Sequence, residues 1–182
     1  ERGGKTLYES LGEMQFTHFG LSGPLVLSAS AHIDGDPADC RIHLDLKPGL
    51  DAQKLDARLL SDFAKYSNRA FKNALGDLAP RLLIPVLVAR SGIPAEQKVH
   101  EITREQRRVL GTILKDFSIS LRAKRPVDEA IVTRGGVDTR EVSPSDMSSK
   151  LVQGLYFAGE VLDLDAYTGG FNLQIAWSTA VA

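Results

Sequence analysis

The chain has 182 residues, of which 43% are hydrophobic and 25% are charged, enough for one or two compact units with ordinary cores. Its 22 Lys and Arg against 23 Asp and Glu leave a formal charge of −1, so the whole-chain charge gives no case for nucleic acid or an anionic membrane. Small molecules and proteins remain as partners. Cys40 is the single cysteine, which excludes an intrachain disulfide and thiolate-rich metal sites, and we expect no metal.

The apolar run Leu82–Ala89 is far shorter than the roughly 20 residues that cross a bilayer, and we expect a soluble, cytoplasmic protein without membrane contact. The first residues show neither an initiator Met nor a signal peptide. The apolar C-terminal segment 175–182 reads as a helix without a capping residue. We therefore expect a piece of a longer protein.

The first predicted elements are an extended segment ending near Phe16, a helix that begins with Pro24, and a strand over Arg41–Lys47. That strand is the clearest in the chain, because apolar and polar residues alternate strictly along it. From about residue 51 to 115 the period changes to that of helices, predicted over Ala52–Tyr66, over Leu78–Arg90, and after Thr103.

Strand periodicity returns at Phe117–Leu121, which we expect to pair with Arg41–Lys47 and with the strand around Phe16. Residues 130–133 and 139–142 predict a hairpin. The continuous apolar run Leu155–Ala158 is typical of a parallel strand buried on both faces. Unpaired strand edges recruit partners, so self-association along this edge is a further expectation.

A candidate cofactor site follows that run. A glycine and an acid end the predicted strand, and a glycine pair precedes the terminal helix, whose first N–H groups have no intrahelical acceptor. Such a helix start suits the pyrimidine edge of a flavin, and a carboxylate accepts hydrogen bonds from sugar hydroxyls. The alternative is a tight turn. The residues concerned are Gly159, Glu160, Gly169, Gly170, Phe171, Asn172, Leu173 and Gln174.

A second candidate site precedes Pro24 and contains Thr17, His18, Ser22 and Gly23. His18 is the candidate proton donor for catalysis, and the others are candidates for binding substrate or an anion. The alternative is a turn whose polar groups bond to each other.

The other charged and histidine residues predict no site. His32, His43 and His100 lack ligand spacing and are predicted to be surface residues. The basic cluster of Arg104, Arg107 and Arg108 is interpreted as a solvated helix face, with phosphate or nicotinamide docking as the minor alternative. Nucleic-acid binding through the helical subdomain would have only this cluster to support it, and we expect none.

The stretches 159–163 and 167–176 together resemble the C-terminal signature of the BaiN-type flavoproteins, a family of NAD(P)/FAD-dependent oxidoreductases. Residues 16–24 and 133–137 are similar to internal motifs of that family, so the resemblance spans nearly the whole chain. It departs at Arg134 and Phe171, where a small residue and a Tyr are expected.

The resemblance implies a mixed α+β and α/β architecture. Residues 1–125 would form a β-barrel-like insert domain, with a helical subdomain at about 51–115, and residues 126–182 the C-terminal segment of a Rossmann-type FAD-binding domain. Gly135 and Gly136 would also contact cofactor.

The implied activity is hydride transfer between a nicotinamide, FAD and an apolar small molecule, with NAD(P)H as reductant. The glycine fingerprint for the pyrophosphate is not present in these residues. The missing N-terminal part of the FAD domain is thus an implied partner. These residues alone are expected to be inactive, to hold no complete FAD site, and to leave Leu155–Ala158 without the parallel neighbours that its sequence asks for. The alternative is a flavin-free binding or scaffold module.

Overall fold

The computed structural model describes all 182 residues and divides the chain into two compact units. Residues 41–120 form one unit, here called the helical unit, and residues 1–40 with 121–182 form the other, here called the split unit. This division does not coincide with the predicted boundary at residue 125. A division into compact units does not test which residues belong to an inserted domain. The assignment of residues 1–125 to the insert and of residues 126–182 to the FAD-binding domain therefore stays a prediction.

The chain forms five α-helices, four short strands and several 3-10 turns. In chain order they are β1 Gln15–Phe16, β2 Leu21–Ser22, α1 Pro24–Ala31, β3 Arg41–Leu44, α2 Ala52–Lys65, α3 Ile84–Ser91, α4 Arg104–Lys115, β4 Phe117–Ser120 and α5 Phe171–Val181. None of these helices is both long and apolar enough to cross a membrane.

The helical unit confirms the three predicted helices, because their start signals act locally. The Asp51 carboxylate accepts the Lys54 N–H at 2.8 Å and caps α2. Thr103 and Gln106 form the predicted capping box of α4. α3 begins at Ile84 instead of Leu78, since turns precede it and its second residue is a proline.

One apolar core holds the helical unit together. It draws on α2, α3, α4, β4 and the loops on either side of α3, and every member is at least nine-tenths buried. Each fully buried Val, Leu, Ile or Phe side chain contributes about 1.5–3 kcal/mol to stability relative to an exposed one. The core residues are Leu55, Leu59, Phe63, Phe71, Ala74, Leu75, Leu78, Leu87, Ile93, Val99, Leu110, Leu114 and Phe117.

The predicted pairing of Arg41–Lys47 with Phe117–Leu121 is confirmed as the antiparallel β3–β4 ladder, in which Ile42 lies opposite Ile119. β3 ends at Leu44, because the Leu46 N–H bonds to the carbonyl at the end of α4 instead. The strand around Phe16 pairs with β2 in a local hairpin, so its predicted pairing with β4 is wrong. The two ladders share no strand, and the expected barrel-like sheet is present only as these two pairs.

The split unit has very little core. Its buried apolar residues are Cys40, Val142 and Leu162, and neither α1 nor α5 contains a buried residue. Both helices are nevertheless apolar around most of their circumference, a pattern typical of helices covered on all sides.

The hairpin predicted in the split unit is wrong. Residues 130–133 and 139–142 form no hairpin ladder, and 3-10 turns occupy 127–129 and 139–141. The expectation that Leu155–Ala158 lacks parallel neighbours in this chain is confirmed: Tyr156 is 63% exposed, and its one bridge, to Ser148, is antiparallel. A strand apolar on both faces needs neighbouring strands and covering helices, and no segment of this chain supplies them there.

Candidate cofactor site

The N-terminus of α5 is open, as the sequence predicts. Gly170 precedes the helix in a left-handed conformation (φ 91°), and no side chain caps it. A Cβ built on Gly170 would meet nothing within 4 Å, and one on Gly169 would meet only the Phe171 ring, at 3.5 Å. A flat group can therefore approach the backbone at the point where the first helical N–H groups need acceptors. The Gln174 N–H is not one of them, contrary to the prediction, because it donates to the Gly170 carbonyl at 3.0 Å.

The loop before α5 is fixed by a contact that the sequence did not reveal. The half-buried Asn172 side chain accepts the Ala166 N–H at 2.8 Å and donates to the Ala166 carbonyl at 2.9 Å. Asn172 was predicted as a backbone donor to a cofactor. Its side chain has the separate role of holding the loop in place beside the helix start.

Gly159 and Glu160 lie next to α5. The Gly159 N–H donates to the Thr179 hydroxyl at 2.9 Å, and a Cβ on Gly159 would lie 3.7 Å from the Ala176 Cβ. Glu160 occupies the following 3-10 turn, is exposed, and has no hydrogen-bond or ion-pair partner. Its carboxylate is therefore available to accept hydrogen bonds from a ligand.

Gly136 belongs to a third predicted segment, which lies beside residues 161–163 that follow Glu160. Val137 donates to the Val161 carbonyl at 2.8 Å and accepts the Asp163 N–H at 2.9 Å, which forms a parallel bridge between Val137 and Leu162. A Cβ on Gly136 would lie 2.4 Å from the Val161 oxygen. This close backbone approach explains Gly136 without a ligand, and its contact with cofactor stays a prediction.

Within the split unit, the structure thus places residues 135–136 beside 161–163, and residues 159–160 beside the C-terminal half of α5 at Ala176 and Thr179. No hydrogen bond joins these two segments directly to residues 169–174 at the other end of that helix. The same unit contains a small apolar pocket lined by Thr139, Val142, Pro144, Met147, Leu162, Leu164 and Thr179.

The second candidate site, around residues 17–23, forms a turn, which is the alternative to a binding site that the sequence allows. The Thr17 hydroxyl accepts the Gly20 N–H at 3.2 Å, and the backbone of both residues closes the β1–β2 hairpin. The Gly23 backbone lies close to that of Met14, since a Cβ on Gly23 would lie 3.0 Å from the Met14 Cα. Ser22 pairs within β2. Their proposed contact with an anion stays a prediction.

His18 is exposed and packs edge-to-face on Phe19, with 5.1 Å between ring centroids. No hydrogen bond or ring contact joins it to the three segments around α5. The catalytic role of His18 therefore stays a prediction with no geometric support from its neighbours.

His32 has partners that its spacing in the sequence did not reveal. Its Nε2 lies 2.9 Å from the Tyr167 hydroxyl, and its ring stacks on Tyr8 at 4.7 Å between centroids. Tyr167 belongs to the loop held by Asn172. The contact joins residues 135 positions apart in the chain, and no local pattern signals such a pair.

The fold is that of a mixed α+β protein, in which glycines and an uncapped helix start form an open surface. Comparison with known proteins gives its family. The model described as "HI0933-like protein barrel and H2TH domain" matches residues 3–132, and the chain belongs to that family. The resemblance to the BaiN-type flavoproteins is confirmed.

Three curated relatives match nearly the whole chain. The ribosomal RNA dihydrouridine synthase of Escherichia coli (strain K12) is 36% identical over 92% of this chain and 40% of its own length. The 3-dehydro-bile acid delta(4,6)-reductase of Clostridium scindens is 32% identical over 97% of this chain and 44% of its own. The ribosomal RNA dihydrouridine synthase of Haemophilus influenzae is 32% identical over 98% and 42%. The chain therefore spans less than half the length of these relatives.

Proposed function

We propose that the three segments around α5 form part of an FAD site, and that the protein containing this chain is an FAD-dependent oxidoreductase. The observation that carries the proposal is the uncapped start of α5 beside the open backbone of Gly169 and Gly170. Bound FAD would supply hydride transfer. The helix N–H groups would donate to the flavin edge that gains negative charge on reduction, and Glu160 would accept from sugar hydroxyls.

We further propose that another segment of the FAD domain completes this site. α5 exposes Phe171 to 60%, Leu173 to 68% and Trp177 to 70%, more apolar surface than a helix of a finished domain leaves in water. The missing glycine fingerprint would belong to the covering segment and bind the pyrophosphate. A second copy of this chain is the alternative partner for the same apolar surface.

The relatives' names support two substrate classes that share one chemistry. A Δ4,6-reductase and a dihydrouridine synthase both add hydrogen across a carbon–carbon double bond, in an apolar small molecule and in an RNA uridine respectively. We propose this class of reduction, with NAD(P)H as the hydride source. An apolar small molecule is the first candidate substrate, and a uridine of ribosomal RNA is the second.

The test of the flavin site is a pair of glycine variants in the natural protein that contains this chain. Gly170→Val places a side chain on the open surface beside α5. Gly154→Val is the matched control, because Gly154 also has a positive φ (79°) and would also meet nothing within 4 Å. We expect the first variant to lose FAD absorbance and the second to retain it, while both show similar changes in thermal stability.

Retention of FAD by Gly170→Val would contradict the site. Loss from both variants in proportion to their destabilisation would contradict it as well, since backbone strain alone would then explain the result. The substrate class is decided by supplying NAD(P)H with either a dienone steroid or a ribosomal RNA transcript and measuring the mass gain of two hydrogens.

A further inference from the structure

The whole chain is nearly neutral, but its two units have formal charges of opposite sign. The helical unit contains 14 Lys and Arg against 9 Asp and Glu, a formal charge of +5. The split unit contains 8 against 14, a formal charge of −6. The expectation that nucleic acid is excluded used the total charge, and that premise does not hold for the helical unit taken by itself.

Half of the basic side chains of the helical unit form ion pairs with carboxylates. The ion pairs within it include Lys65 with Asp77 and Lys72 with Glu96. Six other cations have no carboxylate within salt-bridge distance, and these are Lys47, Arg69, Arg81, Arg90, Lys98 and Arg104. Such cations can neutralise the phosphates of a polyanion, which then releases its own condensed counterions.

Arg69 and Lys98 are brought together by two loops that pair with each other. Ala70 bridges Lys98 in antiparallel fashion, and Val99 donates to the Arg69 carbonyl at 3.0 Å. The Lys98 ammonium donates to the Asn68 carbonyl at 3.2 Å. We call residues 66–70 with 97–100 the two-loop clasp.

The clasp holds its exposed cations in defined positions. The Arg69 guanidinium lies over the Tyr66 ring, 4.6 Å from its centroid, so the aromatic face fixes a side chain that is otherwise mobile. Glu101 is the nearby carboxylate without a cation, and it accepts the backbone N–H of Lys98 at 3.3 Å. Neighbouring Asp77 is neutralised by Lys65.

We propose that the two-loop clasp binds the phosphodiester backbone of RNA, with Arg69 and Lys98 each contacting a phosphate. This inference rests on the RNA candidate of the proposed function and assigns its docking surface. Both cations are exposed on paired loops rather than enclosed in a pocket, which suits an extended polyanion better than a small anion. The backbone contact would position the RNA and carry no base specificity.

The test measures binding of a fluorescein-labelled RNA hairpin with a uridine loop to the natural protein that contains this chain, by anisotropy. The double variant Arg69→Ala/Lys98→Ala is expected to bind at least about tenfold more weakly. Its log–log salt slope should fall by about 2, one for each lost phosphate contact. The matched control Arg122→Ala/Lys124→Ala removes two exposed cations from the split unit and should leave affinity unchanged.

Glu101→Gln should act in the opposite direction. The Gln side-chain oxygen can still accept the Lys98 N–H, and the loss of one negative charge strengthens binding to RNA. Equal loss of affinity in the control pair, or full affinity in the Arg69/Lys98 pair, would overturn the clasp. A protein that retains FAD but binds no RNA would overturn this inference alone, and one that binds RNA through the clasp without FAD would overturn only the flavin proposal.

Discussion

Gly136→Ala tests the backbone contact that joins two of the predicted cofactor segments. The added Cβ would lie 2.4 Å from the Val161 oxygen and 2.8 Å from the Leu162 carbonyl carbon, distances that no relaxed structure keeps. Residues 136–137 must therefore move away from 161–163. The two backbone hydrogen bonds between Val137 and this segment are then lost.

The expected loss of stability in Gly136→Ala has two parts, and a substitution at the neighbouring Gly135 measures one of them separately. A non-glycine residue at the Gly136 φ of 151° costs about 1–3 kcal/mol. Two lost backbone hydrogen bonds add about 0.5–1.5 kcal/mol each. We expect about 2–6 kcal/mol for Gly136→Ala. Gly135→Ala also has a positive φ (105°) but would meet nothing within 4 Å, so it should cost only the conformational part.

Hydrogen exchange of the Val137 and Asp163 amides is the direct assay, because these are the donors of the two bonds. Both amides should lose protection in Gly136→Ala and keep it in Gly135→Ala. If the two variants exchange alike, the close approach at Gly136 does not hold the segments together. Undiminished protection in Gly136→Ala would refute the reasoning altogether.

Two further predictions concern the helical unit and a surface ion pair. Leu59→Ala should destabilise the helical unit by about 2–5 kcal/mol, because Leu59 is fully buried, whereas Leu60→Ala should cost much less at 48% exposure; chemical denaturation of both variants decides this. The hydrogen bond from the Arg140 guanidinium lowers the pKa of Asp138 to about 2. The stabilisation from this carboxylate is therefore complete above the ordinary aspartate pKa of about 3.9 and is lost as the pH falls through about 2. An NMR titration of the Asp138 carboxyl should show this value, and Arg140→Gln should return it towards the ordinary one.

The helical unit was predictable because its signals are local. The capping residue of α4, the apolar face of α2 and the alternation of β3 each fall within one element. These patterns predict element type directly, and the β3–β4 pairing followed because each strand has one apolar face to bury. The start of α3 was missed, since apolar periodicity continues through turns that contain a proline.

The split unit was less predictable because its structure depends on distant contacts. The run Leu155–Ala158 has the composition of a buried strand, but composition does not supply the neighbouring strands that would bury it. The contact between His32 and Tyr167 joins separate parts of the chain. A total charge is limited for a related reason, because a sum over all residues cannot show how the fold distributes Lys, Arg, Asp and Glu between units.

The contrast in burial between the two units links ligand binding to folding. The helical unit has an apolar core of its own, while the split unit, which contains the candidate FAD residues, buries only Cys40, Val142 and Leu162 among its apolar side chains. On the proposal that another segment covers α5, the stability of the split unit would depend on that segment. A cofactor that binds only the folded form stabilises it by mass action, so FAD and the covering segment would each strengthen the binding of the other. Hydrogen exchange in the absence of both should show protected amides in α2 and α4 and rapid exchange in α5.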